Sequence, residues 1–202
     1  MSSLKVGITG GIGSGKTSVC KIFEVLGIPV FYADDAAKTL MNEDLGLRAA
    51  IIQKFGPEVY PDGKLNRAAL SKKIFGDKEA LQTLNDLVHP ATVAASKQWF
   101  EKQTSLYALK EAAIFFESGT YKDIDLMIGI SSPLALRLSR SMARTGMSEE
   151  EVRARMSQQM DDAEKMSRCD FVIVNDEEQA VLPQVLALHK VLLERVSAVL
   201  ES

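Results

Sequence analysis

Gly10-Gly11-Ile12-Gly13-Ser14-Gly15-Lys16-Thr17 fits G-x-x-x-x-G-K-[ST], and the rest of the chain is read outward from it. Its glycines let the backbone take φ > 0 and turn N–H groups inward, where they can surround a polyphosphate with no Cβ in the way. Lys16 can then bring a mobile charge to the β/γ-phosphates, and the Thr17 hydroxyl can ligate Mg²⁺. The flanks strengthen this P-loop reading. Leu4 to Thr9 is predicted as a strand, and Ser18 to Leu26 carries Val19, Ile22, Phe23 and Leu26 at helical spacing. The helix N-terminus adds partial positive charge where a phosphate would sit. Expected nucleotide contacts are Gly11, Ile12, Gly13, Ser14, Gly15, Lys16, Thr17 and Ser18, with Thr17 also the metal ligand.

Downstream, Gly27 suits a helix stop, and Ile28 to Ala33 reads as a second strand ending at Asp34-Asp35. Working groups of open α/β sheets lie just past the carboxyl ends of parallel strands. A carboxylate there could take a proton, help hold Mg²⁺ through water, or cap the helix predicted over Ala36 to Asn42. Residues 44–102 lack a convincing strand and show amphipathic helices: Leu47 to Phe55, Asn66 to Phe75, and Glu79 to Val88. That is longer than an ordinary crossover and suggests an inserted substrate-binding region. His89-Pro90 is expected to end one helix and open the next, leaving His89 at a corner as a turn or capping residue.

A third strand is expected at Leu106 to Lys110, followed by the acids Glu111 and Glu117. Either acid could organise a metal or form a surface ion pair. A fourth strand, Asp125 to Ser131, precedes a helix with Arg137, Arg140 and Arg144 along one face. The pattern continues as a helical hairpin through Arg153, Arg155 and Gln159, and reads as a lid able to close over a nucleotide. Phe171 to Val174 is a fifth strand ending at Asn175-Asp176. The last helix carries Val181, Val185, Leu188, Leu192, Val196 and Val199 at core spacing, with His189 expected on the solvent side.

A length of 202 residues suits one globular domain with inserted parts. A net charge of −3 argues against a general nucleic-acid binder. Cys20 and Cys169 are too few for a disulfide framework or a Cys-based zinc site. No signal-peptide pattern and no long apolar run is visible, so a cytoplasmic location with no membrane association is expected. No protein partner is implied. A GTPase switch would carry N-K-x-D after the last strand, where this chain has Asn175-Asp176-Glu177. Another small-molecule or nucleoside monophosphate kinase shares the fold and phosphate chemistry and differs only in its acceptor region.

Over nearly its whole length the chain resembles the dephospho-CoA kinase family. The motifs that carry this are TGGIGSGKT, A-D-x-x-A-K at Ala33 to Lys38, FG-x₅-DG-x₂-NR-x₂-L from Phe55 to Leu70, and L-x₄-HP from Leu84 to Pro90. FES at Phe116 to Ser118, R-x₃-R at Arg140 and Arg144, Gln159, and D-F-V-I-x-N from Asp170 continue them. The resemblance implies ATP-dependent phosphorylation of the ribose 3′-hydroxyl of dephospho-CoA with Mg²⁺. It also implies a P-loop NTPase fold: a five-stranded parallel sheet flanked by helices, with core (about 1–43, 104–135 and 169–202), helical CoA-binding region (about 44–103) and lid (about 136–168). It further implies Asp34 as catalytic base, Lys16 on the phosphates, Arg140 and Arg144 as lid arginines, Asn175 near the adenine, and Arg67, His89 and Glu117 on the acceptor side. The chain departs from the commoner pattern at Tyr32, where many members have an acid, at Ala112-Ala113, and at Arg137, which stands in place of a glutamine.

Overall fold

The computed structural model describes residues 3–200. Of the described residues, 3–31 and 100–200 form one compact unit, and Tyr32–Trp99 form a second. Among the described residues, β1 (Leu4–Thr9), β2 (Val30–Tyr32), β3 (Tyr107–Glu111), β4 (Leu126–Ser131) and β5 (Phe171–Val174) make one parallel sheet in the order β2-β3-β1-β4-β5. The helices are α1 (Lys16–Val25), α2 (Ala33–Glu43), α3 (Leu45–Phe55), α4 (Arg67–Ile74), α5 (Lys78–Glu101), α6 (Leu134–Thr145), α7 (Glu149–Met156), α8 (Asp162–Ser167) and α9 (Val181–Leu200).

In the first unit the central strand β1 pairs with β3 on one side and β4 on the other, so that Ile8 faces Glu111 and Ile128 in register. Val6, Ile8, Leu109, Ile128 and Ile130 are fully buried. Such near-continuous apolar strands are what a parallel sheet covered on both faces requires. Helices α1 and α9 pack together and against β3, and α8 lies on β4. Helix α9 buries Val185, Leu188 and Leu192, as its spacing predicts; Val199 lies beyond the described side chains. His189 departs from expectation. Its Nδ1 is 2.6 Å from the hydroxyl of the buried Tyr107, which makes it a polar tie between α9 and β3.

The second unit has its own core of Leu47, Ile51, Phe55, Val59, Tyr60, Leu70, Leu84 and Val88. Fully burying a large apolar side chain contributes roughly 1.5–3 kcal/mol, so this cluster gives the unit an independent hydrophobic anchor. Asp44 caps α3 by accepting the Leu47 N–H, and Asn66 caps α4 by accepting that of Ala69. The predicted break at His89-Pro90 does not occur, because α5 runs continuously through Pro90. Leu84, Val88, Thr92 and Ser96 are buried at four-residue spacing across it, while Pro90 points to solvent. Packing of that stripe outweighs the local preference of the proline pair.

Candidate functional site

The phosphate loop follows β1 directly. Helix α1 opens at Gly15, which is left-handed at φ 93° and caps with no side chain, so first-turn amides face outward without a protein cap. Gly13 is left-handed at φ 80°, and a Cβ there would come within 2.2 Å of the Arg137 carbonyl oxygen. The loop therefore needs glycine both for its conformation and for the close passage of α6. The Lys16 ammonium donates to the Gly10 carbonyl at 2.9 Å and to that of Gly11 at 3.5 Å, and stands 3.9 Å from Glu111 Oε1. Glu111 is the last residue of β3 and is buried, so the acid expected after the third strand lies beside the loop rather than in a surface pair. Thr17 and Ser18 are exposed on the first turn of α1.

Around the loop the unit gathers Asn175, Arg140, Arg137 and Gln159. Asn175 follows β5, and its Nδ2 donates to the Ser14 carbonyl at 2.8 Å. The Arg140 guanidinium on α6 donates to Ser132 Oγ at 3.1 Å, to the Asn175 carbonyl at 3.3 Å and to Glu177 Oε1 at 2.9 Å. Beside these groups lies a cavity of about 270 Å³ lined by Gly15, Ser18, Val19, Ile22, Arg140, Asn175 and Val181. Apolar walls with an amide and a guanidinium at the rim suit a planar heteroaromatic ring. Of the arginine stripe, Arg137 is buried, Arg140 half-buried and Arg144 exposed.

Glu117 has a different setting from Glu111. Its Oε1 accepts the Lys165 ammonium at 2.9 Å and the Met160 amide at 2.8 Å. Burial works to raise this carboxyl, but the Lys165 and Met160 hydrogen bonds outweigh it and hold the group below the usual carboxylate range. Lys165 is fully buried and also donates to the Ala113 carbonyl at 2.8 Å. Sequence reasoning missed Lys165, whose partners sit 48 and 52 positions away with no local pattern to announce them.

Asp34, Arg67 and His89 belong to the second unit. Asp34 and Asp35 follow the end of β2 at Tyr32, as expected, and lie in the first turn of α2, since the helix starts at Ala33. Neither is the N-cap, which is Tyr32. The Asp35 carboxylate accepts the Lys38 ammonium at 2.5 Å, whereas the exposed Asp34 carboxylate has no hydrogen bond or ion pair among the described residues. Arg67 is exposed as the first residue of α4, and His89 is half-buried inside α5.

The profile of the dephospho-CoA kinase family matches residues 4–180. The chain belongs to the dephospho-CoA kinase family. It is 35% identical over 195 residues to a dephospho-CoA kinase of Bacteroides fragilis strain YCH46, covering 96% of this chain and 95% of that one. It is 42% identical over 176 residues to a dephospho-CoA kinase of Salinibacter ruber, covering 85% and 88%. A solved structure, TT1252 from Thermus thermophilus, aligns with a TM-score of 0.82 at 32% identity, over 96% of this chain and 98% of that one. The chain is thus a kinase with a P-loop fold, and membership in the dephospho-CoA kinase family implies ATP as phosphoryl donor and a small-molecule acceptor. No helix among the described residues is long and apolar enough to cross a membrane.

Proposed function

We propose that the chain transfers the γ-phosphoryl group of ATP to the ribose 3′-hydroxyl of dephospho-CoA, giving CoA and ADP in the cytoplasm. The carrying observation is a complete phosphate loop, with Lys16 folded over it and Thr17 exposed beside it, in a chain that the dephospho-CoA kinase profile matches over residues 4–180. Segment 44–103 receives the acceptor, 136–168 acts as lid, and the remaining residues form the core. The cavity between Val19, Ile22 and Asn175 takes the adenine.

Phosphoryl transfer has a loose transition state, so catalysis rests on position and charge more than on covalent help. Lys16 leaves the Gly10 carbonyl to meet the β/γ-phosphates. Arg140 and Arg144 offset charge on the transferring group, and the lid excludes water. Asp34 orients or deprotonates the 3′-hydroxyl. Its support is chemical: of the two adjacent acids, Asp34 has a carboxylate with no partner among the described residues, while Asp35 is engaged by Lys38. Arg67 and His89 sit on the acceptor side, and Glu117 shapes it through its hold on Lys165. Mg²⁺ is bound chiefly by phosphate oxygens and water, so the exposed Thr17 hydroxyl would serve as its protein donor, and the ion would offset phosphate charge.

The test is incubation of the purified chain with MgATP and, separately, dephospho-CoA, AMP, CMP and shikimate, with ADP release as readout. Turnover with dephospho-CoA alone is expected. Turnover with AMP or CMP and none with dephospho-CoA would favour a nucleoside monophosphate kinase and overturn the acceptor assignment.

A further inference from the structure

Ile12 sits in the middle of the phosphate loop, and side chains from the proposed lid hold both of its backbone polar groups. Its N–H donates to Gln159 Oε1 at 3.1 Å, and its carbonyl accepts Arg137 Nε at 3.1 Å. Arg137 Nη1 in turn stands 2.9 Å from Asp162 Oδ1. The buried Asp162 Oδ1 makes no hydrogen bond among the described residues, so this contact is an ion pair. The Arg137 side chain is only 8% exposed, and the Asp162 side chain 25%. A Cβ on Gly11 would lie 2.0 Å from Arg137 Nη2, so the guanidinium is laid against the loop backbone itself.

Two peptide planes are set by these contacts. In a trans peptide the carbonyl of one residue and the N–H of the next point in opposite directions. Arg137 draws the Ile12 carbonyl toward the lid, which turns the Gly13 N–H to the other side. Gln159 draws the Ile12 N–H the same way, which turns the Gly11 carbonyl inward, where it accepts the Ser14 N–H at 3.1 Å and Lys16 Nζ at 3.5 Å.

We propose that Arg137, held in place by Asp162 and aided by Gln159, is a positioning residue that braces the phosphate loop from its outer side and aims its backbone groups at the polyphosphate. This rests on the reading of the loop as an ATP site and adds to it a residue outside the loop. Asp162 has a second effect. It cancels the Arg137 charge, so the arginine acts through the loop rather than as a ligand of the phosphates.

The test is titration of wild type, Arg137→Lys, Arg137→Gln, Asp162→Asn and the double variant Arg137→Gln/Asp162→Asn with inorganic tripolyphosphate and, by competition, adenosine. Melting curves are taken in parallel. Arg137→Lys cannot serve Ile12 and Asp162 together, and is expected to weaken tripolyphosphate about tenfold, the worth of one well-directed charged hydrogen bond. Adenosine affinity should stay within about twofold, because the brace acts on the phosphate loop alone. Arg137→Gln should bind tripolyphosphate more weakly still, since an uncompensated Asp162 carboxylate then stands against the loop beside Gly11 and adds negative charge behind the anion site. The double variant, which removes that carboxylate and keeps an amide donor, should recover most of the affinity. A merely structural role would lower melting and weaken both ligands alike, and that result overturns the proposal. Wild-type tripolyphosphate affinity in Arg137→Lys and Arg137→Gln also overturns it, as does a double variant no better than Arg137→Gln. If Arg137→Gln does not fold, Arg137→Lys and Gln159→Ala decide on the same two ligands. Transfer to dephospho-CoA is assayed separately, so failure of the acceptor assignment is distinguishable from failure of the brace.

Discussion

The Glu117 carboxylate grips the ammonium of Lys165 at 2.9 Å, at a point where Lys165 has no exposure to solvent at all. The same oxygen takes the Met160 amide, so one acid joins the segment after β3 to the last turn of α8 and to the residues before that helix.

Lys165 is fully buried while the Glu117 side chain is 21% exposed, so removing Glu117 leaves one buried charge uncompensated at a cost of about 2 kcal/mol, or roughly 4–8 °C in Tm at this chain length. Glu117→Gln is expected to lose about that much at pH 7. The pH dependence follows from the depressed carboxyl. A group whose folded pKa lies below its ordinary value of 4.5 contributes its full stability above 4.5 and loses it as pH falls through the lower folded value. Wild type and Glu117→Gln should therefore begin to converge in Tm as pH falls below 4.5 and meet only once it has passed the lower folded value. Thermal melts in steps from pH 7 downward check this, and a gap constant across the range would show that Glu117 does not titrate against Lys165.

Lys16→Ala should lower the melting temperature without unfolding the chain, because the ammonium is bonded to the carbonyls of the buried Gly10 and Gly11 and stands beside the buried Glu111 carboxylate. Activity should drop by roughly 10²- to 10³-fold, the usual loss when one preorganised charged donor is removed. Steady-state kinetics with MgATP measure it, and activity within a few-fold of wild type would remove Lys16 from the phosphate site.

Arg140 meets three acceptors, on Ser132, Asn175 and Glu177, which only a planar fork can reach together. Arg140→Lys is expected to cost nearly as much turnover as Arg140→Ala. Glu177→Gln, by contrast, alters an exposed partner and should change stability by no more than about 0.5 kcal/mol. Full turnover in Arg140→Lys would mean that charge alone suffices at this position.

How much of this was legible beforehand depended on the range of the interactions involved. The phosphate loop, β1 and β5 follow local rules, since glycine spacing and short apolar runs carry their own signal, and they stand where the sequence places them. The break at Pro90 was misread because a dipeptide preference was set against a buried stripe at Leu84, Val88, Thr92 and Ser96 that only the folded unit realises. His189 falls outside the apolar stripe of α9, and Lys165 lies on the short polar helix α8, so neither looks like a core residue. Their partners, Tyr107 and Glu117, are distant in sequence and meet them only through the tertiary fold. The buried place of Arg137 was hidden for the same reason, as a stripe of three arginines gives no sign that one of them faces the loop.

The adjacent acids Asp34 and Asp35 give the sharpest discrimination. Strand alternation does not separate them, because both lie in the first turn of α2, where successive side chains differ by about 100°. Their partners do separate them: Asp35 is committed to Lys38, while Asp34 has no partner among the described residues. Asp34→Asn keeps shape and removes the base, so kcat should fall by roughly 10²- to 10⁴-fold with KM little altered. Asp35→Asn breaks only an exposed i,i+3 pair, for about 0.2–0.5 kcal/mol of helix stability, and should keep most activity. Kinetics of both variants with MgATP and dephospho-CoA, with folding followed by circular dichroism, decide between them. Should Asp35 prove essential and Asp34 dispensable, Lys38 would have to be a partner that yields during turnover, and the base would have to be reassigned to Asp35.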